Sequence, residues 1–225
     1  GAKGVLIYSD PADDGYFRGD IYPNGPWRPA TGVQRGSVQF LPIYPGDPET
    51  PSIASTLDLP NSKRIPAHKL QNDWPTIPVN PLSYKDAAPI LKALAGPESP
   101  RNWQGALPFT YHLGADSGPA RVTVHMHIEQ DASLRTIWAV IGTFEGTDPA
   151  QKDDWVIAGY HRDAWVYGAV DPSSGTAAML ETVHGIGELL KQGWRPKRRI
   201  IIASWDAEEE GLIGSTEWAE QHATE

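Results

Sequence analysis

The sequence contains no cysteine. That excludes a disulfide framework, a thiolate metal site and a cysteine nucleophile, so any metal must be held by His, Asp and Glu. A basic excess is also missing: 19 Lys and Arg stand against 28 Asp and Glu, a formal charge of -9. Nucleic acid and anionic membrane surfaces are recognised through basic patches, so neither is the expected main partner. No apolar run approaches the roughly 18 residues that a membrane span needs. The opening GAKGVLIYSD lacks the charged leader and apolar stretch of a signal peptide. There is no G-x-S-x-G elbow and no Walker or dinucleotide-binding glycine pattern. Proline is scarce in one part only: 18 of the 21 prolines lie in residues 1–120, and only Pro149, Pro172 and Pro196 lie beyond. Because proline fixes φ and lacks a donor, the first part reads as loops and short strands, whereas the second can hold regular elements. With 40% hydrophobic and 21% charged residues over 225 positions, the composition is that of a soluble globular chain of one large or two modest domains.

In the first part, residues 3–8 (KGVLIY) read as a short buried strand ended by Ser9-Asp10-Pro11. Residues 11–75 read as loops with strand fragments, and 76–79 as another short strand. Ser83, with Asp86 three residues on, predicts an N-cap and a helix over 84–94, which Pro89 should kink or delay. Residues 120–129 alternate strictly, with Val122, Val124, Met126 and Ile128 on one face, and predict a half-buried strand. The turn at Asp131-Ala132-Ser133 is the expected boundary between a domain over 1–131 and a second over 132–225.

The second part reads as α/β. Residues 134–144 predict a strand, and WVIAGY (155–160) a central strand covered on both sides. Asp171-Pro172 predicts an N-cap followed by the first helical residue. Met179, Val183, Ile186 and Leu190 give that helix one apolar face, and Gly193 ends it. RIIIASW (199–205) is a second buried strand, with a further helix over 214–222. This alternation predicts a mainly parallel sheet.

Ligands bind beyond the carboxyl ends of strands in such sheets. The first strand runs into His161-Arg162-Asp163 and then Asp171; the second runs into Asp206-Ala207-Glu208-Glu209-Glu210. Four carboxylates within five residues repel one another, and a divalent cation relieves that repulsion. Each feature alone has an ordinary explanation. An acidic run is commonly a solvated turn, Asp171 a helix cap, and His161 a satisfied strand-end histidine. Their combination is much harder to obtain by chance. The other histidines are weaker: His125 and His127 share a polar strand face, His184 falls in a helix pattern, and His68, His112 and His222 lack acidic partners at useful spacing.

The segments GYHRDAWVYGAVDPSSG (159–175) and WRPKRRIIIASWDAEEEGLIGSTEWAE (194–220) resemble the glutamate carboxypeptidase II family. That family comprises di-zinc exopeptidases with an inserted protease-associated (apical) domain, and it includes the non-catalytic transferrin receptor. The likeness extends to GAKGVLIYSDPAD (1–13), GVQRGSVQF (32–40) and GDPETP (46–51), and so covers nearly the whole chain. The resemblance implies a β-rich protease-associated domain over 1–131, incomplete at its start. It is followed over 132–225 by a truncated zinc-exopeptidase α/β domain with a mainly parallel mixed sheet. It further implies His161 as ligand of one zinc, Asp171 as the bridging carboxylate, Glu209 as ligand of the other zinc, Glu208 as general base, and Asp163 as the carboxylate orienting the histidine. One more Asp and one more His of the family's site would lie downstream of these positions. The chain is therefore expected to be an internal piece, inert by itself. Glu210 stands where the family often has an apolar residue.

The resemblance also implies a structural calcium between Glu217 and Glu220, spaced i, i+3 on one helix, and the backbone carbonyls of Thr50 and Ile53. Such a site would tie the two domains together. It implies a peptide substrate, a homodimeric parent, and an extracellular, periplasmic or membrane-anchored setting. Three functions follow: a carboxypeptidase acting on C-terminal residues, a non-catalytic receptor-like ectodomain, or an aminopeptidase with the same metal geometry. Retention of His161, Asp171, Glu208 and Glu209 together weighs against the receptor.

Overall fold

The structure, a computed structural model, describes residues 1–36, 38, 45–70, 75–115, 121–131 and 133–223. The chain divides into two units, residues 1–35 with 76–131 and residues 36–75 with 132–225. The described residues within 36–75, expected in the first domain, thus group with the second unit. Ala132, in the expected boundary turn, lies outside the described residues, as do residues 37 and 39–44.

In the first unit, β1 (Val5–Tyr8) pairs in parallel with β2 (Val79–Leu82), Val5 opposite Val79 and Tyr8 opposite Leu82. The second strand begins three residues later than residues 76–79 suggest. Ser83 caps α1 (Tyr84–Ala93) as expected, its hydroxyl accepting the Asp86 N–H at 3.1 Å. Pro89 neither delays nor ends the helix. Tyr84 packs with Leu107 and Tyr111 as the core of the unit. Beside that core, Asp10 accepts from the hydroxyls of Tyr8 and Tyr111 and from the N–H groups of Ala12 and Ala106. Burial opposes ionisation of Asp10, but these hydrogen bonds outweigh it and hold the carboxyl below its usual range. The expected strand over 120–129 does not form: residues 121–130 have no strand assignment, and Val124 and Ile128 are exposed. Alternation chooses faces, but a strand also needs a ladder partner, and no described strand supplies one. Among the described residues of this unit, two short strands are less β structure than a β-rich domain leads one to expect.

The second unit carries a three-stranded sheet in the order β3 (Val140–Phe144), β5 (Arg199–Trp205), β4 (Trp155–His161). β4 and β5 are parallel, and β3 runs antiparallel to β5, so the sheet is mixed. Two expectations are corrected here. The first concerns which strand is central: β5 lies between the others and buries Ile201 and Ala203, whereas β4 is an outer strand of this sheet with Val156 and Ile157 exposed. The second concerns the strand over 134–144, which begins only at Val140. Val140 already pairs with Ser204 next to the end of β5, so earlier residues overrun their partner. The Trp138 N–H finds the side chain of Asp206 instead, at 2.8 Å.

α2 (Ser173–Lys191) follows β4 and packs against it. Met179, Val183, Ile186 and Leu190 are among its half-buried positions, as their spacing predicts. It ends at Gly193, φ +89°, where Gly193 N–H reaches Leu190 O at 3.0 Å and Trp194 N–H reaches Leu189 O at 3.1 Å. That pair is the Schellman closure, which needs the left-handed conformation glycine adopts without strain. α3 (Ile213–Gln221) brings Trp218 against Trp155 and Trp205, at ring distances of 5.9 and 5.7 Å.

Candidate functional site

His161 ends β4 and Trp205 ends β5, and the two residues are directly paired. Parallel strands of matched length therefore release both following segments at the same edge. After β5 the chain turns sharply into α3. Ala207 takes φ +53°, Gly211 and Leu212 donate to the Glu208 carbonyl at 2.9 and 2.8 Å, and Gly214 donates to the Asp206 carbonyl at 3.1 Å. A Cβ at Gly214 would run into that carbonyl, so the start of α3 can approach only as glycine. This turn carries Glu208 and Glu209 back over the end of β4.

His161, Asp171 and Glu209 each offer a ligand atom, all within 4.8 Å of one another. His161 Nε2 lies 2.9 Å from Asp171 Oδ1. The other ring nitrogen, Nδ1, lies 3.2 Å from the main-chain oxygen of Asp163 and 3.8 Å from Glu208 Oε2. A hydrogen bond to that carbonyl requires the proton on Nδ1, which leaves Nε2 an acceptor facing a carboxylate oxygen. Two acceptors at 2.9 Å call for a proton or a cation between them. The carboxylates press the same way: burial raises the Glu209 carboxyl, and the charges of Asp171 and Glu208 raise it further. Burial likewise raises Glu210, with Asp163 and Asp206 adding to it. The donor set of one imidazole and two carboxylates, without a thiol, fits a divalent cation of the zinc type.

Two roles are corrected. Asp171 is not the cap of α2: Pro172 occupies that position without a side-chain cap bond, and helical residues start at Ser173. The first-turn N–H groups are met by loop carbonyls instead, Ser173 to Gly168 and Ser174 to Val170, both at 3.0 Å. Asp171 is thus left to face His161. Asp163, for its part, orients the histidine through its main-chain oxygen; its Oδ1 is 3.7 Å from Nδ1, while Oδ2 accepts the Glu209 N–H at 3.0 Å. The carboxylate therefore fixes the neighbouring turn rather than the ring.

The four residues expected around calcium all lie within the second unit, rather than being divided between two domains. The loop over 46–56 folds against α3: Gly46 N–H donates to Gly211 O at 2.8 Å, and Glu217 accepts the N–H groups of Asp47 and Ser55 at 2.7 and 2.6 Å. Arg64 pairs with Asp47 at 2.6 Å. Thr50 is buried and Ile53 exposed. Burial raises the carboxyls of Glu217 and Glu220, and Glu220 Oε2 is buried without a hydrogen-bond partner. Of the remaining histidines, His222 stacks on Trp218 at 4.2 Å, and His184 faces Glu181 and Glu188 on the exposed side of α2. Arg162 and Asp206, whose only signal in the sequence is adjacency to site residues, turn out to bond across the strand ends.

A His/Asp/Glu cluster at the carboxyl ends of the strands of an α/β sheet is an arrangement that could hold a divalent cation. Residues 139–225 match the family described as Peptidase family M28. Over 98% of its length the chain is 45% identical to a Mus musculus protein named "Aminopeptidase NAALADL1", of which it covers 30%. It is 45% identical over 99% of its length to a "Probable glutamate carboxypeptidase" of Arthroderma benhamiae, covering 30% of that protein. With the "Glutamate carboxypeptidase 2 homolog" of Caenorhabditis briggsae it shares 38% identity over 98% of its length, covering 29%. The chain is thus similar over nearly its whole length to relatives named aminopeptidase and glutamate carboxypeptidase, and it spans about 30% of the length of the curated relatives it matches.

Proposed function

We propose that the protein carrying this chain is a zinc-dependent exopeptidase. In this reading His161 and Glu209 each hold one zinc, Asp171 bridges the two, and Glu208 is the general base. The observation that carries the reading is the convergence of the His161, Asp171 and Glu209 ligand atoms within 4.8 Å, with Glu208 beside them. When bound, zinc supplies Lewis acidity and lowers the pKa of water at the site. The chain's own residues do the rest. Asp163 O holds the His161 proton on Nδ1 and so presents Nε2 as a donor atom. Glu208, next to Glu209 in the chain but aimed at a different point, accepts a proton from water and returns it to the leaving amine. The first unit, residues 1–35 with 76–131, is read as part of a protease-associated domain.

Which end of the peptide is attacked divides the relatives, since proteins named aminopeptidase and glutamate carboxypeptidase match equally well. We favour the carboxypeptidase, on the SWDAEE context and the likeness of the first part of the chain. The test uses the intact protein with two blocked peptides. An N-acetylated peptide with a free C-terminus should be hydrolysed, a C-terminally amidated one should not, and chelation should abolish turnover until zinc is restored. The opposite preference would establish the aminopeptidase. Failure of zinc to restore activity would refute the metal reading.

A structural calcium belongs to the same reading, held by Glu217 and Glu220 with the carbonyls of Thr50 and Ile53. The unpartnered Glu220 Oε2 and the two raised carboxyls support it. Calcium at about 100 times its Kd should stabilise the intact protein by roughly 2.7 kcal/mol, read as a rise in Tm. Glu220→Gln should remove that rise, and a Tm indifferent to calcium in the parent protein would count against the site.

A further inference from the structure

We propose that Arg162 and Asp206 form a positioning brace that sets the spacing between His161 and the turn carrying Glu208 and Glu209. Arg162 stands between His161 and Asp163 at the end of β4. Its N–H donates to Trp205 O at 3.0 Å, Nη1 donates to Ser204 O at 2.9 Å, and Nη2 donates to Trp138 O. Nη2 also lies 3.4 Å from Asp206 Oδ2. Asp206 in turn accepts the Trp138 N–H at 2.8 Å on Oδ2 and the Ala207 N–H at 3.1 Å on Oδ1. One guanidinium and one carboxylate therefore join the approach to β3, the end of β4 and the end of β5.

A planar guanidinium directs its donors along fixed lines, so from the end of β4 it can satisfy acceptors on the approach to β3 and at the end of β5 only at one spacing of the three segments. Neither residue contributes to the cluster of ligand atoms. Each acts through its neighbour, Arg162 on the adjacent His161 and Asp206 on the turn that opens at Ala207. The side chains are 32% and 23% exposed. Pairs this open to solvent add little to global stability. The consequence of breaking the brace should therefore appear in the metal site rather than in the fold.

The test uses the intact protein and three readouts: zinc affinity by chelator competition, the absorption spectrum of the cobalt-substituted site, and Tm without metal. Arg162→Met should weaken zinc binding about 10–100-fold, as loss of an outer partner of a metal site typically does. It should also alter the cobalt spectrum, while the metal-free Tm shifts by less than about 4 °C. Arg162→Lys should fall between, because an ammonium cannot fork. The double variant Arg162→Met/Asp206→Ala should cost no more than the worse single change, since the two act as one unit. Unchanged affinity and spectrum in Arg162→Met, or additive losses in the double variant, would overturn the brace. Should Arg162→Met fail to fold, Arg162→Lys decides: a weakening of about threefold or more supports the brace, and unchanged affinity overturns it. The proposal rests on the zinc reading, and the outcomes separate the two. A parent protein that binds no zinc overturns both, whereas a zinc-binding parent with indifferent variants overturns the brace alone.

Discussion

Glu208→Gln in the intact protein should leave zinc bound and KM little changed while lowering kcat by roughly 10²–10⁴, the range expected for loss of a general base. The amide has nearly the same shape as the carboxylate but cannot take up a proton. The substitution also spares the ligand set, because Glu208 is not among the three residues whose ligand atoms converge. Its Oε2 lies 3.8 Å from His161 Nδ1, too long for a hydrogen bond that the substitution could break. A loss of zinc alongside activity would instead mark Glu208 as a ligand. Turnover near that of the parent would remove it from the mechanism altogether. Metal analysis together with steady-state kinetics distinguishes the three results.

Asp171→Asn should strip zinc and activity together. The effect should exceed the 10–100-fold that loss of an outer partner typically costs, because a bridging carboxylate serves both metals. The competing explanation, a helix cap, predicts near-tolerance, since Asn caps about as well as Asp. The structure already weakens that explanation, because α2 starts beyond Pro172 and draws its first-turn acceptors from Gly168 and Val170. The Asp171 carboxylate meets His161 Nε2 at 2.9 Å instead. Thermal stability of the metal-free variant should stay within about 0.5 kcal/mol of the parent, as for other exposed substitutions. Full zinc stoichiometry in the purified variant would rule out the bridge.

The elements legible in the sequence are those whose signal is local. The hydroxyl of Ser83 three residues before Asp86, the spacing of Met179, Val183, Ile186 and Leu190, and Gly193 beyond the last apolar residue each specify a feature one turn of helix long. The misplacements are non-local. Residues 120–129 alternate as a strand should, yet alternation supplies no partner. WVIAGY and RIIIASW read alike as buried strands, but which one is central depends on where β3 docks, and it docks on β5 alone. The residue types of the site could be read off the chain. The division of labour at Asp163 could not, because whether its carboxylate reaches His161 or the Glu209 N–H depends on how the turn after β5 folds back.

By itself, the sequence determined the chemistry available to this protein. With no cysteine, metal ligation falls to imidazole and carboxylate, and the two buried runs that end in HRD and DAEEE bring those groups to the carboxyl ends of strands. Only the tertiary structure decided which of them meet. The parallel pairing of β4 and β5 in matched register places His161 level with Trp205. The turn through Ala207 and Gly214 then folds Glu208 and Glu209 back over that edge, and the loop ahead of α2 returns Asp171 to it. The physical reason is that like charges gather only where a rigid backbone holds them, and that backbone is fixed by ladder and turn hydrogen bonds between residues far apart in the chain.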